Sequence, residues 1–395
     1  MQRADKLEVA KKKTQRALRA ERALTAVPHP GLRFSDRHHV FIAKAKRGEF
    51  WALNQLSVAA KSSITPLFEM WPPAIPRLPR QEEGKPRPKP KAPKSLVTHA
   101  TDLLQTIRDE WGRLPLFLDT RYVPKGGIPS PEGARNIFDV ARALQLVAIP
   151  TTSIKFAAAY QQEIRDVIAK DGRGVLLRLF MSDFGNPNPL GNYLTALLGV
   201  LRVNPNETDI LIDLEYRQEQ VAVQQLGVFA LSVLPSLKDW RTVTLAAGSF
   251  PQSISSLEYE TWLPVPRCDW LGWLGINSLQ AANGSRRATY GDYGIRCGGA
   301  PADIPNRPDP NIRYSGEQKI LVRKEPKKDG KMKTICSSLI LRSEFSGAQF
   351  SQGDAEIAAR AAIPGSPNNG QAEQWIQWCT NHHLELTASQ IQSLP

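Results

Sequence analysis

The runs "GVLLRLF" (174–180) and "DILIDLEY" (209–216), with a helix-length spacer between them, decide how this chain folds. Both are almost continuously apolar, and each carries charge near its carboxyl end: Arg178 in the first, Asp213 and Glu215 in the second. A strand with one wet face alternates apolar and polar residues, whereas a strand covered on both faces stays apolar. The spacer reads as a helix over 189–203, so the unit is strand, helix, parallel strand. Upstream, the alternation gives "HVFIAK" (39–44), "ITPLFEM" (64–70), "LPLFLDTRY" (114–122) and "LVAIPTTS" (146–153), with helices at 48–61, 95–111, 131–145 and 155–170. Downstream, a helix at 217–237 leads to "RTVTLAAGSFP" (241–251), and a longer Trp-rich stretch leads to "ATYGDYGI" (288–295). Eight such units over about 255 residues match the size of a (β/α)8 barrel. An open doubly wound sheet competes, but it would want a glycine-rich turn after its first strand, and "KAKRGE" (44–49) supplies one glycine. The fold class is α/β, a (β/α)8 barrel of the TIM-barrel type.

Three regions follow. Residues 1–30 hold a basic helix (5–26) with Leu7, Val9, Leu18 and Leu24 on one face, stopped by "VPHPG" (27–31). Residues 38–300 form the barrel-like domain, interrupted by a Pro/Lys-rich insert (72–94) that lacks the apolar residues to fold. Residues 301–395 form a C-terminal α/β extension packed on the barrel, with a strand at "KILVRK" (319–324) and helices at 353–362 and 371–379. The 41% hydrophobic and 23% charged content is ordinary for a globular protein. No apolar run approaches the roughly 18 residues of a membrane span, and the basic N-terminus lacks the apolar core of a secretory signal. Four scattered cysteines without zinc spacing read as reduced thiols, and a cytoplasmic location follows.

The net charge of +13 is concentrated in "KKKTQRALRAER" (11–22), "RLPRQEEGKPRPKPKAPK" (77–94) and "RKEPKKDGKMK" (323–333). Such segments raise the local concentration of polyanions, so nucleic acid or a nucleotide is the expected partner. Lys11, Lys12, Lys13, Arg19, Lys85, Arg87 and Lys89 are the candidate contacts.

In a (β/α)8 barrel, the carboxyl ends of the strands surround the one mouth where such barrels do chemistry. The eight runs deliver Lys44 and Lys46, Glu69, Asp119 and Arg121, Arg178, Asp213, Ser249, and Tyr290, Asp292 and Tyr293 at that end. Burying so many charges costs too much unless they pair or bind something. Glu69, Asp119, Asp213 and Asp292 are candidates to hold Mg2+ or Mn2+ or to move a proton. Lys44, Lys46, Arg121 and Arg178 would hold phosphate. In the tail, Asp354 of "FSQGD" (350–354) reads as a helix cap. The adjacent His382 and His383 of "TNHHL" (380–384), if extended, point to opposite faces, leaving one of them for a pocket. His38 and His39 precede the first strand, at the end remote from chemistry. No phosphate-binding loop, HExxH or GxSxG motif is present.

Taken as a set, "IAKAKRGEFWAL" (42–53), "ITPLFEM", "LDTRY" (118–122), "LIDLE" (211–215), "GSFP" (248–251), "YGDYGI" (290–295), "NIRYSG" (311–316), "FSGAQFSQGD" (345–354) and "TNHHL" resemble the beta family protein of phages and prophages. The resemblance spans about residues 38–395. It implies that the tail is integral to the fold, so that Arg313, Tyr314, Asp354, His382 and His383 serve one site with Asp292. It also implies a setting in phage–host conflict, including anti-phage defence. The expected function is a mouth that binds a phosphorylated ligand, a nucleotide or a nucleic-acid end, with metal-dependent phosphodiester hydrolysis as the reaction class. The alternative is a non-catalytic subunit that docks on nucleic acid or on a protein partner encoded nearby, without a membrane.

Overall fold

The computed structural model describes residues 34–73, 94–123, 129–185, 187–299, 309–326, 332–362 and 371–394. The basic segment 1–33 and most of the Pro/Lys insert lie outside the described residues, and with them Lys11, Lys12, Lys13, Arg19, Lys85, Arg87 and Lys89.

Strands β1 (His39–Ala43), β2 (Ile64–Glu69), β3 (Leu116–Asp119), β4 (Ala148–Thr152), β5 (Val175–Phe180), β6 (Thr208–Tyr216) and β7 (Thr242–Gly248) pair in parallel and in order. A short β8 (Leu263–Pro266) belongs elsewhere, and β9 (Thr289–Asp292) closes the cylinder between β7 and β1. All eight barrel strands are the apolar runs read from sequence. Their continuous apolarity has a simple cause. Val40, Ile42, Leu67, Phe117, Ile149, Leu176 and Leu211 pack together inside the cylinder, while Phe41, Phe68, Leu118, Leu177 and Ile212 pack against the outer helices. Both faces are dry, so neither register tolerates polar residues along most of its length.

Helices α1 (Arg47–Asn54), α2 (Val58–Ser62), α3 (Leu96–Glu110), α4 (Pro131–Ala143), α5 (Ala158–Asp171), α6 (Pro187–Leu201), α7 (Gln220–Val233) and α8 (Cys268–Ala282) cover the outside. Local chemistry fixes several ends. Ser57, Ser95 and Ser130 each accept the amide three residues on at 3.1 Å, and Pro131 opens α4. The single helix read over 48–61 is two, because Ser57 starts a new one.

The extension supplies antiparallel β10 (Asn311–Ser315) and β11 (Lys319–Lys324), which continue onto β8, and helices α9 (Met332–Ile340), α10 (Gln352–Ala362) and α11 (Ala372–Gln392). Here the sequence reading needs correction: "TNHHL" is not extended but lies inside the 21-residue α11. Adjacent residues of a helix point about 100° apart, so both histidines are buried, against different neighbours. Trp375, Trp378 and Cys379 of α11 fill a second core with Ile312, Tyr314 and Ile335, whereas Leu384, Ala388 and Ile391 join the outer core of the barrel. A single helix thus belongs to both. Gly353 lets α10 cross it closely: a Cβ there would sit 2.1 Å from the Trp378 carbonyl oxygen.

Candidate functional site

The carboxyl end of the lumen is built around Arg178. Its Nη1 donates to Glu69 Oε1 and Asp119 Oδ2, both at 2.9 Å. Nε and Nη2 donate to Asp213 Oδ2 at 2.9 and 2.7 Å, and Nη2 also reaches the Tyr293 hydroxyl at 2.9 Å. Arg121 Nε donates to Asp119 Oδ2 at 2.6 Å, and the Phe180 ring lies 5.0 Å beneath its guanidinium. The remaining Asp oxygens are taken by the chain itself. Asp119 Oδ1 accepts the Arg121 amide at 3.1 Å and Asp213 Oδ1 accepts the Glu215 amide at 2.8 Å, each a turn that closes its own strand end. Of six carboxylate oxygens, Glu69 Oε2 alone has no partner. Arg121 Nη2 and Thr151 Oγ1 are likewise buried without partners.

Electrostatics follow from that geometry. Burial pushes the Glu69 carboxyl above its ordinary value, against the pull of Arg178. Burial would lower the Arg178 guanidinium, yet Tyr293, Asp213, Glu69 and Asp119 hold it well above its ordinary value. The expectation of Mg2+ or Mn2+ does not fit this arrangement. Such ions take about six oxygen ligands, and the guanidinium occupies the centre that a cation would need. Among the described residues, no group of three or more His, Cys, Asp or Glu side chains is placed to hold a metal ion.

Above this cluster the rim is cationic. Burial lowers Lys44, with Arg296 adding to the effect and Glu69 opposing it. Burial and Arg296 likewise lower Lys46, and push Arg313 down to about 10. Arg313 lies over the Phe250 ring at 4.4 Å and donates to the Ile295 carbonyl. Glu49 is a nearby countercharge, 3.4 Å from Arg296 Nε. The ammonium groups of Lys44 and Lys46 meet no hydrogen-bond or ion-pair partner among the described residues. Concavities of 420 and 340 Å3 lie at the opposite end of the barrel, lined by Trp240, Arg241 and Arg286 and by Asn204, Pro205 and Asn206.

The structure does not bring Asp292, Tyr290, Ser249, Tyr314, Asp354, His382 or His383 to the mouth. Side chains alternate along a strand, and Tyr293 is the residue that points inward. Asp292 and Tyr290 therefore point outward, under α8 and α11. Asp292 accepts from His39 Nε2 at 2.9 Å, from His383 Nε2 at 2.8 Å and from the Gly294 amide at 3.0 Å. Burial alone would raise its carboxyl, but the two histidines and their hydrogen bonds hold it well below the usual carboxylate range. The Tyr290 hydroxyl sits between Asp292 Oδ2 at 3.0 Å and Asp269 Oδ2 at 2.8 Å, and Ser249 bonds the other Asp269 oxygen. On the far side, the Ser315 hydroxyl meets His383 Nδ1 at 2.8 Å. His382 bridges Asp354 Oδ2 at 2.8 Å and the Ser315 carbonyl at 2.7 Å, and Tyr314 stacks on its ring while donating to Asp354 Oδ1. Asp354 is thus a partner of His382, and Ser351 bonds its amide as the cap.

This second constellation is a dry seam between barrel and extension. Ser315, His383 and Asp292 have the spacing of a nucleophile relay, but all three are at most 1% exposed. Sequence reasoning missed His39, Asp269, Ser315 and Arg296. His39 was placed at the remote end, although its outward position opposite Tyr290 in the β1–β9 pairing carries it to Asp292. Strand parity was the signal available for finding it.

Solved structures align with this chain at low similarity. Triosephosphate isomerase from Bartonella henselae aligns at 9% identity over 65% of this chain and 92% of its own, with a TM-score of 0.34. The carboxyl transferase domain of Rhizobium etli pyruvate carboxylase, in a structure with pyruvate and biocytin, aligns at 11% identity over 66% of this chain and 40% of its own, with a TM-score of 0.32. The complete multifunctional pyruvate carboxylase from Rhizobium etli aligns at 12% identity over 92% of this chain and 28% of its own, with a TM-score of 0.35. No curated protein matches. No described helix is long and apolar enough to cross a membrane. The family model described as Beta protein matches residues 40–388, which takes in the barrel from the second residue of β1, the seam apart from His39, and most of α11. The chain belongs to the Beta protein family.

Proposed function

We propose that the barrel mouth binds a phosphate-bearing anion, such as a phosphorylated metabolite, a nucleotide or a nucleic-acid end, and does so without a divalent metal. One observation carries this reading: Lys44, Lys46, Arg296 and Arg313 crowd the rim with Glu49 and Glu69 as their nearby countercharges. Mutually repelling cations are relieved by an anion, and that relief contributes to its binding. Arg121 Nη2 and Thr151 Oγ1 offer unused hydrogen bonds beneath the rim. Arg178 organises the carboxylates and is not free to hold phosphate. If phosphodiester chemistry occurs here, Glu69, whose carboxyl is raised by burial, is the proton carrier. The resemblance to phage-borne relatives supports a role in phage–host conflict.

The test is thermal stabilisation by pyrophosphate, ATP and a 5′-phosphorylated oligonucleotide in the presence of EDTA. Stabilisation that weakens steeply with salt and is lost in a Lys44→Ala, Arg296→Ala double variant supports the reading. Equal binding by the variant, or binding that requires Mg2+, defeats it. The net charge of +13 and its concentration in residues 1–22 and 77–94 favour a second reading, a non-catalytic nucleic-acid-binding subunit. On that reading the double variant keeps its nucleic-acid affinity, and removal of residues 1–33 abolishes it.

A further inference from the structure

Two lysines stand at the carboxyl end of β1 in different surroundings: Lys46 is exposed on the rim, whereas Lys44 is only 8% exposed. Lys44 follows β1 in the inward register of Val40 and Ile42. The β1–β2 pairing sets Ile42 beside Leu67 and Ala43 beside Phe68, so one step further Lys44 comes level with Glu69. A lysine that only offers charge to phosphate gains nothing from such burial, which penalises its protonated form. Burial and Arg296 hold the Lys44 amine below its ordinary value, against the opposing pull of Glu69 and Glu49. An amine so placed is unprotonated for more of the time, and the unprotonated amine is a nucleophile. Level with it, Glu69 presents a carboxyl raised by burial, and its Oε2 has no partner. An amine, an acid and a cationic rim therefore meet in one mouth.

We propose that Lys44 is a nucleophile that forms an imine with the carbonyl of a phosphorylated aldehyde or ketone seated in the mouth. The ligand is held there by its phosphate, so the role assigned to Lys44 rests on the phosphate-binding reading of the mouth. Lys46 and Arg296 take the phosphate, which leaves the buried amine for the carbonyl. The amine adds to the carbonyl carbon, and one of its protons passes to the oxygen to give a carbinolamine. The Glu69 carboxyl then protonates that hydroxyl, which leaves as water while the nitrogen lone pair closes the C=N bond. The products are an iminium on Lys44, a Glu69 carboxylate and one water, and no oxidant or reductant is consumed. The new cation lies level with the carboxylate that its formation creates, and that pairing favours the step.

The probe is pyridoxal 5′-phosphate, an aldehyde that carries phosphate, added to the full chain with EDTA, reduced with borohydride and mapped by peptide mass spectrometry. Lys44 is expected to be the first lysine modified, about tenfold faster than with pyridoxal, which lacks the phosphate. Pyrophosphate should slow the labelling by competing for the rim, and Glu69→Gln should slow it by removing the proton donor. Lys44→Arg keeps the charge, so pyrophosphate should still raise its thermal stability while the label at the mouth disappears. Label that falls first on Lys46 or on other exposed lysines overturns the proposal, as does equal labelling of Lys44 by pyridoxal. If pyrophosphate stabilises the chain and Lys44 stays unmodified, the nucleophile is refuted and the phosphate reading stands. If pyrophosphate neither stabilises the chain nor slows the labelling, the phosphate reading itself fails, and the role of Lys44 with it.

Discussion

Replacing Arg178 by methionine would leave Glu69, Asp119 and Asp213 sharing one small dry volume. Breaking a buried ion cluster by removing its cation typically costs about 3–5 kcal/mol, and a loss of that size is expected in urea unfolding at neutral pH. The deficit should depend on pH. Glu69 is raised above its ordinary value of 4.5 in the folded protein, so its contribution is complete below about pH 4.5 and is lost as pH rises through the folded value. Without Arg178 the carboxyl is displaced further in the same direction. The variant should therefore approach wild type under mild acid and fall furthest behind above neutrality. A deficit that stays constant with pH would show that the carboxylates do not share this space. The presence of Arg178, Asp119 and Asp213 in apolar runs was readable, because a charge in such a strand must face a space shared with other strands. The guanidinium that binds three carboxylates was not readable, since it depends on register between distant strands. Asp292 was misplaced for a narrower reason: it adjoins Tyr293, and a strand sends neighbours to opposite faces.

Among the elements, α11 holds barrel and extension together through Asp292, His383, Ser315, His382 and Asp354. Asp292→Asn removes the charge that both His39 and His383 address. The expected cost is about 3 kcal/mol at neutral pH, with faster hydrogen exchange across the second half of α11. Here the pH dependence runs the other way. The Asp292 carboxyl is depressed in the folded state, so its contribution is present above its ordinary value of 3.8 and is lost as pH falls through the folded value. Wild type and variant should converge only in strong acid. Unchanged exchange in α11 would mean that the seam carries no coupling. The helix was illegible over "TNHHL" because periodicity counts apolar residues, and here polar ones, Asn381, His382 and His383, fill buried positions. The Asn381 amide, for instance, donates to the Ala52 carbonyl at 3.0 Å.

For the molecule as a whole, the barrel is not expected to stand without its extension. A chain stopped at residue 300 would lose His383 from among the partners of Asp292 and lay open Phe250 and Ile295, which are covered by the second core. It should yield aggregated or partly folded material, judged by circular dichroism and sedimentation; a monomeric product with the thermal stability of the full chain would refute this. The alternation of eight strands with helices was visible in the sequence because it repeats. The shared core was hidden because it joins residues more than three hundred positions apart, as Asn381 and Ala52 do. That long reach bears on synthesis. A ribosome delivers α11 only after every strand of the cylinder, so His39 must wait for His383 while more than three hundred further residues are made. In the interval the outer wall at Asp292 is unfinished, and the nascent polypeptide is a natural client for chaperones until its late helix arrives.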